Sequence, residues 1–298
     1  MILKLLQVKL LQKLLQATNT GFYRLKKAAQ SGGLFLLNTS LYKSSMTKLY
    51  FQEFNPSGKK TAIFVHGLGA TSDSWGYQFE AFTQAGYRVI APDMRGFGKT
   101  PYSGGDINVK IMADDLFKLV QGLGIREFDL IGLSMGGAIS QQFALDHPEM
   151  VRKLALANTA ARFMARKGGV FYYLPRYALF PLCPSKLRAK IIAWYIFPQK
   201  GCEQYRKEFE SQILEGNQFA YMRAAASLIK YDLYEQISQI KAPTIVFTGT
   251  RDKTTPLAMQ NYLCEQIAGA KHIILEGGHV TAVDSHREFN KELLDFLG

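Results

Sequence analysis

The run Phe128-Asp-Leu-Ile-Gly132-Leu-Ser134-Met-Gly136-Gly137 constrains this chain more than any other stretch. A strand-like apolar segment passes without a spacer into a serine fenced by glycines, and a helix-forming stretch, residues 138–147, follows at once. That order reads as a strand, a sharp turn and a helix. Glycines at 132, 136 and 137 permit the bend and the close approach of neighbouring elements, because none carries a Cβ. The turn exposes the Ser134 hydroxyl, and the start of the helix offers unpaired N–H groups to developing negative charge. Gly-X-Ser-X-Gly has this meaning only between a strand and a helix; elsewhere it is an ordinary turn. Both flanks are present here, so Ser134 is the predicted nucleophile.

The sequence on either side repeats one rhythm. Residues 48–54 read as a first strand, 55–60 as a turn, 61–65 as a second strand and 75–85 as a helix. Strands are predicted again at 87–91, 128–132 and 151–157, with a helix at 109–123 and a loop at 93–100. This alternation predicts an α/β fold with a mostly parallel sheet flanked by helices. From residue 161 to about 239 the rhythm gives way to helical, aromatic sequence, read as an inserted helical cap. Strands resume at 244–248 and 272–275, and residues 287–296 close the chain as a helix. The expected division is a basic amphipathic helical extension (1–47), a core in two parts (48–160 and 240–298) and the cap (161–239).

A serine hydroxyl attacks poorly unless a base takes its proton. Of five histidines, His66 ends a strand beside glycines, His147 ends the Ser134 helix, His272 lies within a strand and His286 opens the last helix. His279 follows Gly277-Gly278 directly after a strand, where it overhangs the sheet edge carrying Ser134. It is the predicted base; the plainer alternative is a packed or capping histidine. The base needs an acceptor that fixes its tautomer. Asp252, just past strand 244–248, falls between Ser134 and His279 in the order serine, acid, histidine, although a turn aspartate bonding its own backbone has the same appearance. The N–H of Met135, next to the nucleophile, is an expected oxyanion donor. Serine attack of this kind calls for no metal or cofactor, and residues 132–137 are not a nucleotide loop, lacking the glycine spacing and the lysine of one.

With these partners in place, residues 131–144 (IGLSMGGAISQQFA) and 154–160 (LALANTA) resemble the alpha/beta-hydrolase superfamily, especially its subgroup of 3-oxoadipate enol-lactone hydrolases and small esterases and lipases. The resemblance covers about residues 50–296. It implies an alpha/beta-hydrolase fold, places the acid at the Asp252 loop and puts a second oxyanion donor on Leu68, after His66-Gly67. His66 is then left to brace its loop, and Asp93 and Arg95 to tie loops together. Asn158, after a strand where some relatives carry an acid, cannot supply a charge. A serine at the turn argues against dehalogenases and epoxide hydrolases, which use aspartate there. Carbon–carbon bond hydrolysis, cofactor-free peroxidase-type chemistry and acyl transfer stay open.

Charge bears on partners. Thirty-six Lys and Arg against twenty-four Asp and Glu leave a net +12, and residues 1–50 contain no acid. Residues 1–16, MILKLLQVKLLQKLLQ, form a basic amphipathic helix pattern too interrupted by lysine to span a bilayer. It suits an anionic membrane surface, packing on its own chain or in a homodimer, or an organelle-targeting segment. Residues 162–201 hold eight basic residues and no acid, so 1–17 and the cap can face one membrane, each well-placed cation contributing about 1 kcal/mol. Interleaved aromatics and cations also occur in nucleic-acid binders, but no such module accompanies them and nucleic acid is not expected. The expected location is cytoplasmic or peripheral on the cytoplasmic face of a membrane. Cys183, Cys202 and Cys264 support neither a zinc site nor a disulfide framework, with a Cys183–Cys202 bridge the minor alternative. The expected activity is serine-dependent hydrolysis of a hydrophobic, monoacylglycerol-like carboxylic ester. The alternatives are an enol-lactone or carbon–carbon bond hydrolase and a non-catalytic membrane-associated scaffold.

Overall fold

The computed structural model describes residues 48–163 and 183–298; the basic extension at 1–47 and residues 164–182 of the expected cap lie outside them. In chain order the elements are β1 (Phe51–Phe54), β2 (Lys60–Val65), α1 (Gly76–Gln84), β3 (Tyr87–Pro92), α2 (Val109–Gly122), β4 (Phe128–Leu133), α3 (Met135–Asp146) and β5 (Val151–Ala157). Three helices follow, α4 (Ser185–Ile196), α5 (Glu203–Glu215) and α6 (Gln218–Lys230). Then come β6 (Thr244–Gly249), α7 (Leu257–Gln266), β7 (Lys271–Leu275), α8 (Thr281–Asp284) and α9 (His286–Leu297).

The described strands form one seven-stranded sheet in the order β1-β3-β2-β4-β5-β6-β7. Only β1 runs antiparallel to its neighbour; the other pairs are parallel. Side chains of a strand alternate between faces, and β2 shows what that does here. Ala62 and Phe64 join one apolar cluster with Phe82 of α1 and Phe289 of α9. Ile63 and Val65 join the other with Met112 of α2 and Phe143 of α3. Both faces are thus covered, which is why the central strands read as continuous apolar runs.

Parallel strands joined by crossover connections end on one edge. Val65 is in register with Gly132, Leu133 with Ala157, Ala157 with Phe247, and Gly249 with Leu275. The residues just beyond, from His66 and Ser134 to the loops carrying Asp252 and His279, therefore gather at that edge, where ligands of open α/β sheets bind. Helices α4 to α6 are inserted between β5 and β6.

Four elements differ from the sequence reading: β1 begins at Phe51 rather than 48, the short helix α8 was not expected, and two further differences are larger. The Ser134 helix begins at Met135 rather than 138, because Gly136 and Gly137 form its first turn instead of extending the bend. Helix α7 was not predicted: its sequence, LAMQNYLCEQ, has little apolar periodicity and fully buries only Gln260 and Leu263. The three cysteines are unpaired, so the Cys183–Cys202 bridge is absent. Among the described residues no helix is long and apolar enough to cross a membrane.

Candidate active site

Ser134 sits between β4 and α3 at φ 52° and ψ −113°, a conformation rarely adopted by a residue with a side chain and one that persists only when neighbours enforce it. They do so here. Its N–H donates to the Ala157 carbonyl at 2.9 Å, and its own carbonyl accepts from the Thr159 hydroxyl at 2.8 Å and from the Ala138 N–H at 3.1 Å. Close approach explains two glycines. A Cβ on Gly136 would strike the Val65 carbonyl oxygen, and one on Gly132 would strike the Gly136 carbonyl and the Ser140 hydroxyl.

The turn aims Ser134 Oγ at His279, whose Nε2 lies 2.9 Å away. His279 Nδ1 lies 3.0 Å from both carboxylate oxygens of Asp252. A carboxylate accepts only, so Nδ1 carries the proton and Nε2 presents a lone pair to the serine hydroxyl. Asp252 also accepts from the N–H groups of Thr254 (2.8 Å) and Thr255 (2.9 Å) and from the Thr255 hydroxyl (2.7 Å). Burial alone would push this carboxyl up, but the His279 ring and the Thr255 bonds outweigh it and hold it at about 2.

Asn158, set aside in the sequence because it has no charge, works as a donor. It is fully buried and follows β5 at φ 47°. Its Nδ2 donates to Asp252 Oδ2 at 3.1 Å and to the Gly278 carbonyl at 3.3 Å. Its Oδ1 accepts from the Thr281 hydroxyl at 2.6 Å and N–H at 3.3 Å. One amide thus joins the acid loop to the chain on both sides of His279. Asp284 was also missed. Its Oδ2 accepts from the Gly278 N–H at 2.7 Å, while Oδ1 is buried without a hydrogen-bond partner among the described residues. Burial pushes its carboxyl up to about 6 against the pull of the Gly278 bond, Arg251 and His279. Neither role has a sequence signal, since each depends on which loops meet.

The remaining histidines lie outside this chain of hydrogen bonds. His66 is buried, its Nδ1 bonded to the Gly67 carbonyl at 2.8 Å and its Nε2 accepting from the Met94 N–H at 2.9 Å; burial lowers its pKa. It braces two loops, as expected. Asp93 does the same, accepting from the N–H groups of Ser72 at 2.7 Å and Lys99 at 2.8 Å, and Arg95 grips Asp115 of α2 with bonds of 2.5 and 2.7 Å. His147 stacks on Phe117, His286 on Tyr77, and His272 meets the Thr248 hydroxyl.

Met135 opens α3, so its N–H has no partner within the helix. The Gly67-Leu68 loop packs against Ser134: a Cβ on Gly67 would lie 3.5 Å from that of Ser134. Leu68, Ser134 and His279 line a cavity of about 450 Å³. The opposing walls come from the inserted helices, through Ile192 and Ile196 of α4, Phe209 of α5 and Tyr221 and Leu228 of α6. Such a space suits a largely apolar small molecule.

Comparison with known proteins agrees with the fold. The alpha/beta hydrolase fold family matches residues 61–285. A Variovorax paradoxus protein provisionally named carbamate hydrolase RutD is 27% identical over 258 residues, covering 84% of this chain and 96% of its own. 3-Oxoadipate enol-lactonase 2 of Acinetobacter baylyi is 26% identical over 244 residues, covering 81% and 90%. The crystal structure of a hydrolase from Pseudomonas aeruginosa PA01 superposes with a TM-score of 0.77 at 26% identity, covering 84% of this chain and 94% of that one. The chain belongs to the alpha/beta hydrolase fold family.

Proposed function

We propose that this protein hydrolyses a compact carboxylic ester or enol-lactone through an acyl-enzyme on Ser134. The observation that carries the reading is the unbroken path from Ser134 Oγ to His279 Nε2 at 2.9 Å and from His279 Nδ1 to Asp252 at 3.0 Å. In this reaction the Ser134 oxygen attacks the ester carbonyl while its proton passes to His279 Nε2. Asp252 stabilises the imidazolium and keeps the ring in register. The Leu68 and Met135 N–H groups hold the tetrahedral oxyanion, each such donor being worth about 10²–10³-fold in kcat. His279 returns the proton to the departing oxygen; from an enol-lactone that oxygen leaves as an enol, which settles to a ketone within the same acyl chain. Water then attacks the acyl-serine with His279 again taking a proton, and the carboxylic acid is released.

One observation supports a compact substrate: the Acinetobacter baylyi relative is an enol-lactonase, while the apolar cavity of about 450 Å³ admits either class. The monoacylglycerol-like ester expected from the basic leader and cap has only the apolar walls on its side, and is the weaker reading. Turnover of a simple enol-lactone, p-nitrophenyl butyrate and a long-chain monoacylglycerol separates them. The enol-lactone and the short ester are expected to show the higher kcat/KM, with Ser134→Ala abolishing both turnover and labelling by a fluorophosphonate. A monoacylglycerol preferred by more than tenfold would reverse the substrate assignment. Failure of the folded protein to take the label would favour a scaffold.

A further inference from the structure

We infer that the outer face of α4 docks onto an anionic lipid bilayer. Leu187, Ile191 and Trp194 are 52%, 53% and 62% exposed. Spaced by four and then three residues, they form one stripe along the helix. The opposite side of α4 is already packed, Ala189 and Ala193 being fully buried, so the stripe is a second apolar face on a helix whose first is satisfied. Exposed Lys186 and Lys190 stand beside it, and α4 contains no Asp or Glu. The groove along the stripe is completed by Arg206 and Glu210 of α5.

The chemistry of that face selects the occupant. Tryptophan and lysine beside aliphatic side chains are the anchors of a membrane–water interface, with the indole at headgroup depth and lysine stems lying along the apolar surface while their ammonium groups reach the phosphates. The net charge of +12 draws the molecule toward anionic lipid from a distance. Ile191 also lines the cavity that holds Ser134, so a bilayer covering the stripe abuts that cavity. The inference concerns binding alone and stands whatever bond is cleaved at Ser134.

Tryptophan emission tests it without altering the chain, because the protein has two tryptophans and Trp75 is buried at 1% exposure. The full-length protein is mixed with vesicles of phosphatidylcholine containing one part in three phosphatidylglycerol, with and without brominated acyl chains. Emission is expected to shift to the blue and to be quenched by the brominated lipid. The double variant Leu187→Glu/Trp194→Glu should sediment with these vesicles at least tenfold more weakly, while still hydrolysing a soluble ester. Added salt should weaken wild-type binding. Failure to bind overturns the inference, as does binding with unchanged, unquenched emission, which would place the attachment elsewhere on the chain. Equal binding to pure phosphatidylcholine overturns the assignment to anionic lipid. A blue shift that grows with protein concentration in the absence of vesicles, together with a dimeric mass, overturns it in favour of a second copy of the chain.

Discussion

Asn158 holds together what the strands only bring near. Its donor faces Asp252 and the Gly278 carbonyl and its acceptor faces Thr281, so it sets the distance between the acid and histidine loops. Asn158→Ala is expected to lower kcat about 10²-fold with little change in KM, since small misplacements of reacting groups cost that much; steady-state kinetics on a soluble ester measure the split. Asp284 makes a different prediction, one of sign. Its folded carboxyl titrates near 6, above the ordinary range, so between about pH 4 and pH 6 the folded protein binds more protons than the unfolded chain and stability falls as pH rises. Asp284→Asn keeps an acceptor for the Gly278 N–H and removes the buried charge. It should be the more stable protein at pH 8, by on the order of 2 kcal/mol, and the gap should close by pH 4, as read from denaturant unfolding across that range. Ser134, Asp252 and His279 were legible in the sequence because each lies just past a strand end in a characteristic chain order. Asn158 and Asp284 were not, because their partners are loops distant in sequence.

Strands β2 to β6 were legible almost to their ends because parallel strands buried on both faces leave short apolar runs between turn signals. The start of α3 was not. Glycines 136 and 137 break helices on propensity alone, yet here they lie in the first turn, where contact with Val65 and Thr159 outweighs that preference. Gly136→Ala accordingly has the opposite effect to its helix propensity. Where an exposed helix would gain stability from alanine, this one is expected to lose about 1–3 kcal/mol through overpacking against the β2 backbone, seen as a lower midpoint in urea with the slope unchanged. Activity should fall with it, because the same contact presses the Ser134 turn against β2.

Around the insertion the sequence announced only a change of rhythm. Helical, aromatic text after β5 can mark a cap, a second domain or a long excursion, and although the strand at 244–248 marks its return, nothing local says which residues close its base. Contacts at its base supply that information. The Ala161 carbonyl accepts from the Leu233 N–H at 2.8 Å, Arg162 pairs with Asp232 at 3.3 Å and its guanidinium lies 4.0 Å over the Tyr234 ring, and the Tyr231 hydroxyl donates to the Ala138 carbonyl at 3.3 Å. Replacing residues 163–230 with the corresponding segment of the Acinetobacter baylyi enol-lactonase is therefore expected to leave fluorophosphonate labelling of Ser134 intact while changing the order of preferred esters, as a panel of kcat/KM values would show.

That neck has a wider meaning. Because the excursion leaves and rejoins at neighbouring points, its tenants can be exchanged without unpicking the strands beneath, much as one attachment is swapped for another on a common handle. The wall of the Ser134 cavity is therefore built from two pieces of chain, one of which hangs from that single narrow base.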